Sequence, residues 1–265
     1  MATYTKTAAN LEIPLENYKF DIRASPDDKF QYGEIFSPLK LIEDMFAMLP
    51  PEVFKNPEAR WLDPGAGTGH FSIVLYHRLI DGLIDAIPDV SKRRHHIINN
   101  MLYMAEIKPT SINRLRELFG KDANILEGDF TLLDTDIDFD YVIGNPPYNA
   151  NGVKKVPTNS VREKKDDGRT MWIPFVKTAI SLLKPKGRLL FIIPSIWMKP
   201  DRAGMYKYLT AYKLEKIKCL SNTETNQIFH SEAQTPTCCL LLRKEKSNRY
   251  IELYDKNRKQ YIDYY

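Results

Sequence analysis

The chain has 265 residues, of which 43% are hydrophobic and 11% aromatic, enough apolar side chains to build a sizeable core in one compact domain. The longest apolar run, Leu189 to Met198, is about half as long as a membrane-spanning helix, and the N-terminus lacks a signal-peptide pattern, so we expect a cytoplasmic protein that does not bind membranes. A net charge of +4 does not establish a polyanionic partner, and the three cysteines have neither disulfide-framework nor metal-site spacing, which fits a reducing interior without a bound metal.

The first predicted elements surround a glycine-rich segment. Residues 1–30 are polar and aperiodic, and we interpret them as an N-terminal arm. Ser37-Pro38 then opens an apolar stretch with helical spacing that ends at Pro50-Pro51. A short strand from Arg60 to Leu62 leads into the glycine turn, and a helix with apolar positions from Phe71 onward continues towards Pro88.

The rest of the chain alternates helices and short apolar strands. The predicted order is a helix from Ser91, strand Met101–Ile107, helix Ile112–Phe119, strands Asn124–Leu126 and Tyr141–Gly144, a helix through Leu183, strand Gly187–Pro194, a helix–strand pair and a last strand Thr237–Leu242. This alternation predicts an α/β fold with a Rossmann-like, doubly wound and mostly parallel sheet. We expect one α/β domain over 31–244, a polar insert at 149–170 and a basic tail at 245–265.

Basic residues cluster in two polar parts of the chain. The clusters comprise Lys154, Lys155, Arg162, Lys164, Lys165 and Arg169 in the insert, and Arg243, Lys244, Lys246, Arg249, Lys256, Arg258 and Lys259 near the C-terminus. Such clusters either contact phosphates of a nucleic acid or form ordinary solvated faces.

The glycine turn reads Asp63-Pro64-Gly65-Ala66-Gly67-Thr68-Gly69 and lies at the end of a predicted strand, where open α/β sheets bind ligands. A dinucleotide-binding turn has the spacing GxGxxG, but here the third glycine comes one residue early and an acid precedes the turn. S-adenosylmethionine, which has no phosphate, therefore fits better than a nicotinamide cofactor; a plain βα turn is the alternative. The expected cofactor contacts are Asp63, Gly65, Ala66, Gly67 and Gly69.

Two further acids follow the next predicted strands. Glu106 can accept the ribose hydroxyls of an adenosyl group, with Ile107 beside it. Asp129 can accept the adenine amino group, and Phe130 can pack on the ring. Either acid alone is as readily a turn residue, so the prediction depends on acids at three successive strand ends.

The string Asn145-Pro146-Pro147-Tyr148 follows the strand that ends at Gly144. An aromatic amine is a poor nucleophile, and its lone pair becomes available when the Asn145 side-chain oxygen and the Pro146 carbonyl each accept an amino hydrogen. The two prolines restrict the backbone, and Tyr148 offers a face on which a base can stack after leaving a duplex. A Pro-Pro turn that merely ends a strand is the alternative. The string predicts methyl transfer to the exocyclic amine of a base.

With these motifs, the chain resembles the N6-adenine-specific DNA methyltransferases of restriction-modification systems, in particular type IIG-like enzymes and their viral relatives with the gamma motif order. The resemblance covers Tyr32 to Arg243. Its motifs are, in order, Phe36-Ser37-Pro38, the glycine turn, His96-Ile97-Ile98-Asn99-Asn100, Asp129-Phe130, Asn145 to Tyr148, Gly187 to Pro194 and Gln234-Thr235.

The resemblance implies the fold of the class I S-adenosylmethionine-dependent methyltransferases, with an antiparallel C-terminal strand. It implies methyl transfer to N6 of an adenine flipped out of duplex DNA. Phe36 and Pro38 would back the methionine end of the cofactor, although Ser37 as a helix N-cap explains the same triplet. Phe229 would pack on the second face of the flipped base, with a core phenylalanine as the alternative.

The chain departs from the family pattern in two ways. Met104-Ala105-Glu106 stands where many relatives have Gly-x-Asp, and no separate target-recognition domain is evident after Arg243. Sequence specificity is therefore expected from the insert, the basic tail or a separate specificity or nuclease chain, or it is low. The insert lysines expected to contact DNA are Lys154, Lys155, Lys164 and Lys165.

Other functions remain open on the sequence alone. Adenine N6 in RNA and cytosine N4 in DNA are acceptors of the same chemistry, and a non-catalytic subunit of a restriction-modification complex could keep the fold. Glutamine methyltransferases that act on release factors have a similar tetrapeptide, but they carry a helical domain before the glycine turn, and the first thirty residues here are too few and too polar for one.

Overall fold

A computed structural model describes residues 11, 14–20, 25–33, 35–150, 169–200, 203–230, 233 and 235–264. The described helices are α1 (Pro26–Tyr32), α2 (Leu39–Phe46), α3 (His70–Gly82), α4 (Val90–His96), α5 (Pro109–Phe119), α6 (Trp172–Ser181), α7 (Met205–Thr210) and α8 (Asn222–Ile228). The described strands are β1 (Trp61–Asp63), β2 (Leu102–Glu106), β3 (Asn124–Glu127), β4 (Phe139–Gly144), β5 (Asn149–Ala150), β6 (Arg169–Thr170), β7 (Leu183–Pro194), β8 (Tyr212–Leu220), β9 (Thr237–Lys246), β10 (Ile251–Asp255) and β11 (Gln260–Tyr264).

Nine of these strands form one mixed sheet in the order β11-β10-β8-β9-β7-β4-β1-β2-β3. The five neighbouring strands β3, β2, β1, β4 and β7 run parallel to one another. Strand β9 lies antiparallel between β7 and β8, and β5 and β6 form a separate two-stranded ribbon. The predicted α/β class is confirmed, including the mostly parallel sheet and an antiparallel C-terminal strand.

The topology places a crevice beside β1. From β1 the chain continues outward to β2 and β3, then returns to β4 on the opposite side of β1. Ligands of doubly wound sheets bind at such a reversal, at the carboxyl ends of the strands. The glycine turn follows β1 and the Asn145 string follows β4, so both motifs lie at this point.

The core beneath the crevice is apolar and aromatic. Trp61 is fully buried and stacks between Phe54 and Tyr141, with ring centroids 5.4 Å and 4.0 Å away. The C-terminal half of β7, residues 189–194, is continuously buried, as its unbroken apolar sequence predicts for a strand covered on both faces. Among the described residues, no helix combines the length and the apolar character needed to cross a membrane.

The C-terminal residues continue the sheet. The boundary expected at residue 244 falls inside β9, and the expected basic tail contains the hairpin β10–β11, whose first strand pairs with β8. Lys216 and Lys218 of β8 lie over the rings of Tyr261 and Tyr254 at 5.3 Å and 4.8 Å. The sequence prediction for this segment relied on its basic residues and missed the alternating apolar positions that form the hairpin.

The N-terminal arm also contains structure. Helix α1 begins at Pro26 because the Ser25 side chain accepts the N–H of Asp28, and it ends at Gly33, which has the left-handed conformation. Phe20 is buried in the core. The short helix crosses the boundary expected at residue 30.

We predict that Trp61→Ala lowers the free energy of unfolding by about 3–5 kcal/mol, because it removes a fully buried aromatic side chain from a stacked arrangement. Urea denaturation monitored by circular dichroism measures the loss. Leu132→Ala, at a side chain that is 78% exposed, is the matched control and is expected to change stability by less than about 0.5 kcal/mol. Similar losses in the two variants would contradict the assignment of Trp61 to the core.

Candidate active site

A cavity of about 370 Å³ opens at the carboxyl ends of β1, β2 and β4. Its walls are formed by Gln31, Tyr32, Gly33, Ile35, Phe36, Ser37, Pro64, Gly65, Ala66, Gly67, His70, Phe71, Ala105, Glu106, Ile107, Lys108, Gly128, Asp129, Phe130, Asn145, Pro146, Pro147, Tyr148, Met171 and Phe175. The structure thus brings most of the predicted cofactor and catalytic residues to one space.

The glycine turn forms the floor of the cavity. Gly65, Ala66 and Gly67 line it, and Gly67 has a φ of 53°. The Ala66 N–H donates to the Ala105 carbonyl at 3.1 Å, which joins the turn to the end of β2. The lack of side chains at Gly65 and Gly67 lets a ligand approach the main chain closely.

Glu106 holds the turn in place. Its Oε2 accepts the Gly67 N–H at 2.7 Å, while Oε1 accepts the N–H groups of Ile107 and Lys108 at 2.9 Å and 2.8 Å. A carboxylate has about four lone-pair positions, so three are already used by the backbone. Glu106 lines the cavity as predicted, but it can take a ribose hydroxyl only at its remaining position or by releasing Gly67.

Asp129 and Phe130 form the wall beyond β3. The Oδ1 atom of Asp129 accepts the N–H and the hydroxyl of Thr131 at 2.8 Å and 2.7 Å and thereby caps a short 3-10 helix. Because both bonds go to one oxygen, the second oxygen can accept a donor from a ligand. Phe130 packs against Phe175, with ring centroids 5.1 Å apart. An acid and an apolar ring at the same end suit a purine.

Asn145 is held by the segment that precedes α2. Its Nδ2 donates to the Ile35 carbonyl at 3.4 Å and to the Ser37 hydroxyl at 3.2 Å. A carbonyl can only accept, so the NH₂ group must face Ile35 and Oδ1 must face the other way. Oδ1 is buried and has no hydrogen-bond partner within the described residues. An unpaired buried acceptor costs about 1–3 kcal/mol, a cost that a ligand amine can relieve.

Pro146, Pro147 and Tyr148 continue the same wall. In the described part of the chain, no backbone N–H donates to the Pro146 carbonyl. Tyr148 is 8% exposed, and its hydroxyl is buried without a partner there. Burial raises the pKa of the Tyr148 hydroxyl well above its ordinary value, so the phenol stays neutral. Tyr148 therefore offers the cavity a neutral aromatic side chain.

His70, the first residue of α3, lines the cavity but was missed by the sequence analysis. Its Nδ1 lies 3.1 Å from the Ser37 carbonyl, and its Nε2 is buried without a partner among the described residues. Burial lowers the pKa of His70 to about 4. The ring packs against Phe20 and Phe36 at 5.0 Å and 5.2 Å. Its position directly after the glycine turn was the signal that could have revealed it.

Helix α1 forms a wall that the sequence analysis also missed. Gln31, Tyr32 and Gly33 line the cavity, and the Asp28 carboxylate pairs with the Lys108 ammonium at 2.7 Å. A Cβ atom at Gly33 would lie 2.2 Å from the Asn149 carbonyl oxygen, so only glycine allows this approach. The N-cap signature of Ser25 and Pro26 could have predicted the helix.

Three predicted cofactor contacts lie outside the cavity lining. Asp63 is 1% exposed and accepts the Ser72 hydroxyl at 2.8 Å, so it ties β1 to α3. Gly69 is the N-cap of α3, where an added Cβ would lie 3.1 Å from Leu115. Pro38 is the N-cap of α2, a position the sequence analysis gave to Ser37, whose side chain is instead a hydrogen-bond partner of Asn145.

Of the predicted substrate contacts, Tyr148 lines the cavity and Phe229 does not. Phe229 is 2% exposed at the end of α8, where it packs as a core residue. The structure therefore places Phe229 away from the described walls, in agreement with the alternative interpretation. The remaining predicted contacts, Lys154, Lys155, Lys164 and Lys165, lie outside the described residues, as does Gln234.

Comparison with solved structures identifies the fold. A putative class I S-adenosylmethionine-dependent methyltransferase from Listeria monocytogenes matches with a TM-score of 0.55 at 17% identity, over 91% of this chain and 75% of that one. The fold is that of the class I S-adenosylmethionine-dependent methyltransferases.

The chain belongs to the Eco57I restriction-modification methylase family, whose model matches residues 76–229, more than half of the chain. It is 27% identical to the type II methyltransferase M.PaeR7I of Pseudomonas aeruginosa over 212 residues, 71% of this chain and 36% of that protein. It is 36% identical to an uncharacterized adenine-specific methylase of Mycoplasma pneumoniae over 96 residues, 35% of this chain and 23% of that protein. The chain thus matches about a third or less of the length of these relatives.

The family and the fold imply S-adenosylmethionine as the cofactor, and the residues of the cavity fit it. Asp129 and Glu106 line the cavity and can accept hydrogen bonds from the donors of an adenosyl group, and Gly65 and Gly67 leave the main chain accessible. His70, which also lines the cavity, adds an acceptor, since its Nε2 is buried without a partner in the described part of the chain.

We predict that Asp63→Asn changes how stability depends on pH. Burial raises the pKa of Asp63 from 3.8 to about 7, against hydrogen bonds from Ser72 that lower it. Between these values the folded state binds more protons than the unfolded state, so the wild type loses stability from this group as pH rises. The variant lacks this loss, and its stability relative to the wild type is expected to rise from about pH 4 to about pH 7.

Urea denaturation of both proteins across this range measures the difference. The low pKa of His70 acts in the opposite direction, but it is present in both proteins and cancels in the comparison. A difference that stays constant with pH would show that Asp63 is already ionised throughout.

Proposed function

We propose that this chain transfers a methyl group from S-adenosylmethionine to the exocyclic N6 of an adenine flipped out of duplex DNA. The proposal rests on one observation above the others. Asn145, whose Oδ1 is buried and has no partner among the described residues, lines the same cavity as Pro146, Tyr148 and the glycine turn.

The chemistry requires the chain to prepare an amine. When bound, S-adenosylmethionine would supply a sulfonium methyl and leave as S-adenosylhomocysteine, while the amine would form the N–C bond and release one proton to water. Asn145 Oδ1 and the Pro146 carbonyl would each accept one amino hydrogen, which favours the pyramidal nitrogen of the transition state over the flat ground state. The nitrogen becomes acidic only as the methyl arrives, so no strong base is needed.

The remaining residues position the base. Tyr148 would stack on it, an interaction worth about 1–3 kcal/mol that offsets part of the cost of removing a base from the duplex. Ser37 and Ile35 would keep the Asn145 amide turned the right way, since they bond its NH₂ group. The chain would therefore act mainly by orientation and hydrogen bonding.

DNA adenine is favoured over other acceptors by the names of the relatives, an adenine-specific methylase and a type II methyltransferase. The expected DNA contacts of the insert lysines, Lys154, Lys155, Lys164 and Lys165, are part of this proposal. So are a cytoplasmic location and a separate specificity or nuclease chain as partner. Adenine in RNA and cytosine N4 in DNA are outcomes that the following experiment distinguishes.

We predict that the purified chain methylates plasmid DNA at adenine N6 and that Asn145→Ala reduces the rate by at least about 100-fold, because an acceptor at the reacting amine is lost. Methylation-aware sequencing reports the base and its sequence context, and an RNA substrate is tested in parallel. Calorimetry is expected to show that Asn145→Ala still binds S-adenosylmethionine. Undiminished activity in this variant would reject the mechanism. Methylation found only in RNA, or only at cytosine, would show that adenine in DNA is not the acceptor.

We predict a split between two variants of Tyr148. Tyr148→Ala is expected to lower the methylation rate by about 10- to 100-fold because the stacking face is removed. Tyr148→Phe keeps that face and removes only a hydroxyl that is buried without a partner among the described residues, so its rate is expected to stay within about 3-fold of the wild type. A loss in Tyr148→Phe as large as in Tyr148→Ala would assign the function to the hydroxyl instead.

A further inference from the structure

The imidazole of His70 has a fixed arrangement of its proton. Nδ1 lies 3.1 Å from the Ser37 carbonyl oxygen, which can only accept a hydrogen bond. Nδ1 must therefore carry the hydrogen, and Nε2 of the neutral ring has a lone pair. His70 is 6% exposed and lines the cavity.

This lone pair has no partner within the described residues, where Nε2 is a buried atom. The aromatic rings of Phe20 and Phe36 enclose the imidazole and account for its low solvation. Burial lowers its pKa to about 4, so the ring is neutral near pH 7. An unpaired acceptor in an apolar enclosure favours a ligand that brings an N–H or O–H donor.

The order of strands indicates which part of the cofactor meets this acceptor. The acids Glu106 and Asp129 follow β2 and β3 and suit the adenosyl group, whereas Asn145 follows β4 and suits the reacting amine. His70 lies on the remaining side, beside Ser37 and Phe36. The part of S-adenosylmethionine left for this side is its amino-acid end, and the strongest donor there is the α-ammonium.

We propose that the neutral imidazole of His70 binds the amino-acid end of S-adenosylmethionine, with Nε2 accepting a hydrogen bond from the α-ammonium. The inference rests on the proposed function, since it requires the cofactor to bind in this cavity. A neutral ring matters because an imidazolium would repel both the ammonium and the sulfonium. The Ser37 carbonyl fixes the tautomer that presents the lone pair.

Two substitutions separate the acceptor from the rest of the side chain. His70→Asn places an amide NH₂ near the former Nδ1, where it can still donate to the Ser37 carbonyl, but it has no acceptor at the former Nε2. His70→Gln reaches the former Nε2 position with an amide oxygen but loses the bond to Ser37. The ligand is varied too, by comparing S-adenosylhomocysteine with its analogue in which hydrogen replaces the α-amino group.

Isothermal titration calorimetry on the full chain tests the assignment. His70→Asn is expected to weaken the binding of S-adenosylhomocysteine by about 10- to 100-fold, as for the loss of a hydrogen bond to a charged group. The same variant is expected to weaken the binding of the deaminated analogue by less than about 3-fold. His70→Gln is expected to recover at least part of the selectivity for the amino-bearing ligand. Equal losses for both ligands in His70→Asn, or no loss for either, would overturn the inference.

The failure of the proposed function gives a different result. If the wild type binds neither ligand, the cavity does not hold an adenosyl cofactor, and the function and the inference fail together. If the wild type binds both ligands but does not prefer the one with the amino group, only the role of His70 fails. Should His70→Asn not fold, the comparison of the two ligands on the wild type and on His70→Gln still decides.

Discussion

The hydrogen bonds between the Asn145 amide and the segment 35–37 are the interactions on which the site depends. Because the Ile35 carbonyl takes the NH₂ group, the amide oxygen of this cavity-lining residue must face away from Ile35. The neighbouring Ser37 carbonyl does the same for His70, whose second nitrogen becomes an acceptor. One extended segment thus orients two acceptors that come from different parts of the chain.

Burying these acceptors lowers the stability of the folded protein. Oδ1 of Asn145, Nε2 of His70 and the Tyr148 hydroxyl are all buried without partners in the described part of the chain, and each such group costs about 1–3 kcal/mol. The cost is tolerated because the core below is densely aromatic around Trp61. Local destabilisation of this kind is typical of sites built to receive a ligand, since the ligand restores the missing hydrogen bonds.

Motifs at strand ends were predictable because their position follows from the sheet alone. Gly65, Glu106 and Asn145 lie on the cavity as the sequence analysis expected, since parallel strands end at one edge. Asp63 was assigned to the cofactor because a motif gives the position of a residue and not the direction of its side chain, which here points to Ser72. His70 and α1 were missed because their roles arise from packing between distant segments.

The C-terminal hairpin shows a second limit of the sequence analysis. Its strands have only five residues each and flank a basic turn, so the pairing of β10 with β8 depends on a neighbour that local periodicity cannot identify. Phe229 illustrates the same limit: an aromatic residue near a motif can face the core or the ligand, and only the packing of α8 decides. Contacts within a motif were therefore more predictable than contacts between elements.

The central claim is that Asn145 presents an oriented oxygen to an extruded amine. A crystal structure of the chain with S-adenosylhomocysteine and an adenine-containing duplex tests it most directly. The account predicts an adenosyl group over Gly65 to Gly67 and an adenine N6 about 3 Å from both Asn145 Oδ1 and the Pro146 carbonyl oxygen. An Asn145 amide turned into the apolar interior, or an adenosyl group bound elsewhere, would contradict it.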